Sequence, residues 1–141
     1  MPESVPLEEG YFVIPTEPDA PPHLLGSRCR ACGEHFYPRR ATCARCLSYD
    51  TEEVQLGPRG TLYTWTYLHV PGFGEHRATS TGYAAGQIDL AEGPRVQAVL
   101  EGGAGDFAIG MAMELTLAQV ATDKQGRAVL MYRFRPVEAR P

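Results

Sequence analysis

Between residues 61 and 70 the chain alternates strictly. Leu62, Thr64, Thr66, Leu68 and Val70 fall on one face, and Tyr63, Trp65, Tyr67 and His69 on the other. A period of two over ten residues, carried by β-branched and aromatic side chains, predicts one long strand. Four more strands are predicted after it. Residues 83–90 are small and glycine-bearing, and residues 95–101 set Val96, Ala98 and Leu100 against Gln97 and Val99. Residues 111–121 set Met111, Met113, Leu115 and Leu117 against Glu114 and Thr116, and residues 127–135 set Val129 and Met131 against Leu130, Tyr132 and Phe134. Breakers stand at each joint: Pro71-Gly72-Phe73-Gly74, Glu92-Gly93-Pro94, Gly102-Gly103-Ala104-Gly105, and Asp123 through Gly126. No segment carries an apolar stripe of helical period. The pattern predicts an all-β chain whose residues 51–141 form a five-stranded OB-type barrel, with a β-sandwich as the alternative.

The first 22 residues differ in composition. Glu3, Glu8, Glu9, Glu17 and Asp19 precede the first basic residue, Arg28, and Pro15, Pro18, Pro21 and Pro22 exclude a long helix. They read as a tail, with a short helical turn near residues 5–12 or an extended path, lying on the surface or on a partner. There is no basic n-region with a long apolar run behind it, and no membrane-length apolar stretch. A cytoplasmic chain with reduced cysteines is therefore expected. The whole chain of 141 residues carries a formal charge of -4 with a pI of about 5.5. That balance argues against non-specific contact with nucleic acid or anionic lipid.

Residues 23–50 form a separate module. Cys29-Arg-Ala-Cys32-Gly33 is followed after a gap of ten residues by Cys43-Ala-Arg-Cys46. Each CxxC makes a tight knuckle that sets two thiolates on one side of a turn. Two knuckles joined by a hairpin supply four sulfurs in tetrahedral array, the geometry of a closed structural zinc site. Rubredoxin-like iron would use the same ligands. Gly33 suits the positive φ that such a turn demands. Leu47 occupies the matching place in the second knuckle, which is expected to close differently. With all four cysteines on a metal, none is left as a nucleophile, and any cysteine chemistry must come from another chain.

Arg28, Arg30, Arg39, Arg40 and Arg45 crowd this module, with Phe36 and Tyr37 between them and Glu34 as the sole acid counted against them. Read this way the module is near +4, a mix that suits a phosphorylated ligand with a stackable base. Arg30 and Arg45, inside the knuckles, also read simply as partners for the negative tetrathiolate. The glycine loop around Phe73 and Arg77 has the make-up of a contact loop. His69, His76, Glu75 and Asp89 have no spacing that requires acid–base work, and Gly102-Gly103-Ala104-Gly105 lacks the residues of a phosphate loop. A nucleic-acid-binding ribbon and barrel module, and an iron-dependent redox protein, remain as alternatives.

Taken in order, Gly26-Ser-Arg-Cys-Arg-Ala-Cys-Gly33, Phe36-Tyr-Pro38, Cys43-Ala-Arg-Cys46, Gly60-Thr-Leu-Tyr-Thr-Trp65, Asp89-Leu-Ala-Glu-Gly-Pro-Arg95, Ile109-Gly-Met111 and Phe134-Arg-Pro-Val137 resemble the OB-fold acyl-CoA-associated proteins with an N-terminal rubredoxin-like zinc ribbon. The resemblance runs from about Glu8 to Val137. It departs from the family at Ala78-Thr-Ser-Thr-Gly82, where many relatives start a strand with proline, and at the second knuckle, which has no glycine. It implies a non-catalytic small subunit, joined to a thiolase-like or aldolase partner in a heterotetramer that acts on CoA thioesters in aromatic or steroid breakdown. It implies structural Zn2+ on Cys29, Cys32, Cys43 and Cys46. It points to Arg30, Phe36, Tyr37, Arg39, Arg40, Phe73 and Arg77 as contacts for CoA or the partner.

Overall fold

The computed structural model describes residues 4–17, 19–70 and 82–137, and among them every regular element is a strand. In chain order these are β1 Ser4–Pro6, β2 Phe12–Val13, β3 His23–Cys29, β4 His35–Phe36, β5 Thr51–Leu56, β6 Arg59–Leu68, β7 Tyr83–Leu90, β8 Arg95–Leu100, β9 Ala112–Thr122 and β10 Ala128–Pro136. The loop with Phe73, Glu75, His76 and Arg77 lies outside the described residues.

The four later strand predictions fall within a residue or two of β7 to β10. With β6 they close a barrel in the order β6-β7-β8-β10-β9 and back to β6. Only the β8–β10 contact is parallel, at Phe134 and Leu100, and the other four seams are antiparallel. This is the Greek-key closure of an OB fold. Period two sends Ala84, Ile88, Leu90, Val96, Ala98, Leu100, Met113, Leu115 and Phe134 inward, where all are buried. A side chain at Gly86 would meet the Thr64 carbonyl oxygen at 2.7 Å, so the inner wall there must be bare.

The unbroken alternation expected along β6 is interrupted. Its register against β7 shifts between Leu62 and Thr64. Leu62 is 1% exposed and Tyr63 45% exposed, while Trp65 and Tyr67 pack against the core. One bulge residue thus moves the core face from even to odd positions, and Tyr63 does not share a face with Trp65.

A second sheet is built on β3. Strands β2 and β4 pair with it on one side and β5 on the other, from Thr51 opposite Cys29 to Leu56 opposite Leu24. Residues 51–56, grouped with the barrel by the sequence pattern, therefore hydrogen-bond within the ribbon sheet, and the barrel strands start at Arg59. Among its described residues the tail contains no helix, and a turn at residues 9–10 separates its two short strands. Its β1 pairs parallel with β10 of the barrel, and its β2 pairs with β3 of the ribbon. Phe12, Leu24 and Leu56 join the barrel residues in one apolar cluster, so ribbon and barrel share a core.

Candidate metal centre

Strand β3 ends at Cys29, and the chain turns at once through the first knuckle. The Gly33 N–H donates to the Cys29 carbonyl at 2.8 Å, with Gly33 at φ 83°. The second knuckle repeats this closure rather than departing from it. The Leu47 N–H donates to the Cys43 carbonyl at 2.9 Å, and Leu47 is held at φ 68°. The turn dictates the backbone, and leucine takes the left-handed conformation that glycine takes in the first knuckle.

The two knuckles bring all four sulfurs within 4.8 Å of one another. Cys29 Sγ lies 3.5 Å from Cys46 Sγ, and Cys32 Sγ lies 3.6 Å from Cys43 Sγ. Zinc–sulfur bonds of about 2.3 Å in a tetrahedron demand sulfur–sulfur edges of roughly 3.8 Å. The array fits such an ion with little movement. Cys29 and Cys43 are buried, and Cys32 and Cys46 are exposed.

Backbone N–H groups serve the inner sulfurs. Those of Arg45 and Cys46 reach Cys43 Sγ at 3.3 and 3.4 Å. Burial pushes the Cys43 thiol up, but these donors and the neighbouring thiols outweigh it and bring it down to about 6. The Cys32 N–H likewise leads in holding the Cys29 thiol below its ordinary value. At Cys46 the Ser48 N–H favours the thiolate, yet the crowding of Cys29, Cys43 and Cys32 together with burial raises it to about 12. Four thiols this close resist ionising together, and a divalent cation removes that conflict. Four sulfur ligands close the tetrahedron and leave no position for substrate, so a metal here holds the ribbon together.

The arginines around the centre are not an unopposed positive patch, because β5 and its approach bring acids beside them. Arg28 pairs with Glu52 at 3.1 Å, Arg30 with Asp50 at 3.1 Å and Glu52 at 3.7 Å, and Arg45 with Glu34 at 3.0 Å. Arg39 pairs with Glu53. Asp50, Glu52 and Glu53 lie well after the arginines in sequence, and only the β3–β5 register puts them alongside. Arg40 differs: its guanidinium sits 5.7 Å from the Phe36 ring centroid and has no carboxylate partner among the described residues. Its N–H donates to the buried Ser27 hydroxyl at 2.9 Å. Arg39 and Arg40 line one open polar groove of about 470 Å³ with Tyr11, Ser27, Glu52 and Glu53.

Tyr37 lies elsewhere. It packs edge-on against Tyr11 and Tyr132, at 6.4 and 6.0 Å between ring centroids, where ribbon, tail and barrel meet. Tyr11 and Tyr132 were not singled out by sequence. They come from the tail and from β10, and no spacing announces that these join. The residues proposed as contacts are thus divided: Arg39 and Arg40 share the groove, Arg30 flanks the knuckles, and Tyr37 lies at the junction.

Known proteins match this arrangement part by part. Residues 16–52 match the family described as the ChsH2 rubredoxin-like zinc ribbon domain, and residues 53–118 match the ChsH2 C-terminal OB-fold domain. The chain is 34% identical, over 82% of its length and 78% of the relative's, to the benzoylsuccinyl-CoA thiolase subunit BbsA of Thauera aromatica. It is 32% identical, over 82% of each chain, to a DUF35 domain-containing scaffold protein of Methanocaldococcus jannaschii. Among solved structures it resembles a chain of the Ltp2-ChsH2(DUF35) aldolase, with a TM-score of 0.64 and 30% identity over 81% of this chain and 84% of that one. With ribbon, barrel and four converging cysteines all in place, the chain belongs to the ChsH2-type DUF35 family of zinc-ribbon and OB-fold proteins, small subunits related to thiolase and aldolase complexes.

Proposed function

We propose that this chain is the non-catalytic small subunit of a thiolase or thiolase-like aldolase, and that it supports binding of the CoA thioester and the stability of the catalytic subunit. The convergence of all four cysteines on one closed site carries the reading. A thiolase needs a free cysteine nucleophile, and this chain has none to spare once a metal is bound. The catalytic thiol then belongs to a partner. The BbsA relatives favour a thiolase partner that takes an aromatic acyl-CoA.

In this reading the ribbon and barrel act as one rigid piece, because their cores are continuous. The metal fixes the ribbon. Arg39 and Arg40 line the polar groove, and in this reading they would meet the phosphates of CoA. Since Arg39 is engaged by Glu53, Arg40 is the stronger candidate of the two.

The test is co-expression with a thiolase-like chain from the same genome, followed by size-exclusion chromatography and a metal assay on the same peak. Co-elution with about one zinc per small chain is the expected result. Elution as a lone chain would overturn the subunit reading. In the reconstituted complex, Arg40→Ala should raise the KM for the CoA thioester more than Arg39→Ala does. An unchanged KM in both would remove the phosphate role.

A further inference from the structure

The junction of tail, ribbon and barrel holds a crevice that the metal centre does not use. It has a volume of about 360 Å³ and is lined by Leu7, Glu8, Tyr11, Phe12, Tyr37, Pro38, Met131 and Tyr132. Four of these are aromatic, and they form a chain of steeply crossed rings. Tyr11 meets Tyr37 at 72°, Tyr37 meets Tyr132 at 89°, and Tyr132 meets Phe12 at 67°, with centroids 6.0 to 6.4 Å apart. Crossed rings turn their faces in different directions around the space they border. Each face is the negative side of the ring's quadrupole.

One polar side chain, Glu8, breaks the apolar lining. Glu8 is exposed, and among the described residues no basic side chain pairs with it. Its carboxylate is near enough to Tyr37 to help push that phenol up, behind the larger effects of burial and Tyr132. The Tyr37 hydroxyl lies buried beside the Tyr132 hydroxyl and presents no surface to the crevice.

An apolar occupant would match the rings but strip water from Glu8. A cation answers both features. The ring faces attract it and the carboxylate pairs with it. Guanidinium fits better than ammonium, because its flat fork can lie on a ring and still meet a carboxylate edge. We infer that this crevice is a receptor for an arginine side chain of a partner polypeptide, bordered by Tyr11, Phe12, Tyr37 and Tyr132 and neutralised by Glu8.

The inference is independent of which enzyme the chain serves, so it is tested on the full metal-loaded chain alone. The probe is a capped Gly-Arg-Gly peptide, with capped Gly-norleucine-Gly as its uncharged counterpart. Binding is followed by NMR on the tyrosine rings and the Met131 methyl group. Saturable shifts confined to the crevice are expected with the arginine peptide, at least tenfold weaker binding with the norleucine peptide, and about threefold or greater loss of arginine binding in Glu8→Gln. Glu8 is exposed, so that variant keeps its fold, which unchanged barrel resonances verify. Equal binding of the two peptides, absence of saturation, or full arginine binding by Glu8→Gln would overturn the proposal.

Discussion

Leu47 and Gly33 do the same backbone work with opposite aptitude. Both sit at positive φ directly after the second cysteine of a knuckle, at 68° and 83°. A residue with a Cβ gives up roughly 1–2 kcal/mol in that region relative to glycine. The Leu47 side chain recovers little of this, since it is 72% exposed. Leu47→Gly should therefore stabilise the metal-loaded chain by about 0.5 kcal/mol after the added freedom of the unfolded chain is subtracted. Gly33→Ala should cost roughly 1–2 kcal/mol by strain alone, because the nearest atom to its new Cβ would be 3.9 Å away. Thermal unfolding of both variants with the metal bound checks the pair. A glycine reports such a turn in sequence because it has little other reason to be there. Leu47 conceals the same turn, because leucine carries no sign of left-handed backbone. For that reason the convergence of the four cysteines was legible from sequence and the closure of the second knuckle was not.

At the level of elements, β3 carries most of the ribbon. Among the described residues it is the one strand of the ribbon sheet paired on both sides, and it delivers Cys29 to the centre. Gly26 lies in its middle, where an added Cβ would sit 2.4 Å from the Phe36 carbonyl oxygen and 2.4 Å from Leu56 Cδ1. The first of these is backbone and cannot swing aside. Gly26→Ala should force β4 off β3 and prevent metal loading, and it is expected to cost upwards of about 3 kcal/mol. Metal content of the purified variant, set beside that of Gly33→Ala, is the measurement. The strands of the barrel were legible because alternation and turn residues are local properties. Two features of the elements were not. The bulge in β6 depends on how β7 seats against it, and β5 reads as a barrel strand until β3 is placed beside it. Both are matters of pairing between distant segments, which no window along one strand contains.

The whole molecule is joined at its N-terminus. Within ten residues the tail gives β1 to the barrel and β2 to the ribbon, and the Leu7 N–H donates to the Leu130 carbonyl while the Leu25 N–H donates to the Tyr11 carbonyl, each at 2.8 Å. Removing residues 1–13 should loosen the ribbon from the barrel while leaving the four cysteines in place. Faster proteolysis between Leu56 and Arg59, at unchanged metal content, is the expected readout. An acidic, proline-rich composition gives no hint of this, because the strands are short and exist only through their partners. The paired arginines have a consequence of their own at this scale. Each ion pair on the ribbon is a dipole a few ångströms long, and its field dies away well inside the screening distance of about 8 Å in physiological salt. The paired arginines therefore neither draw in nor turn a protein that diffuses towards the ribbon. Association on that side should proceed near the unsteered rate of about 10⁵–10⁶ M⁻¹s⁻¹ and change little with ionic strength. Recognition there is left to shape and to contacts made after collision.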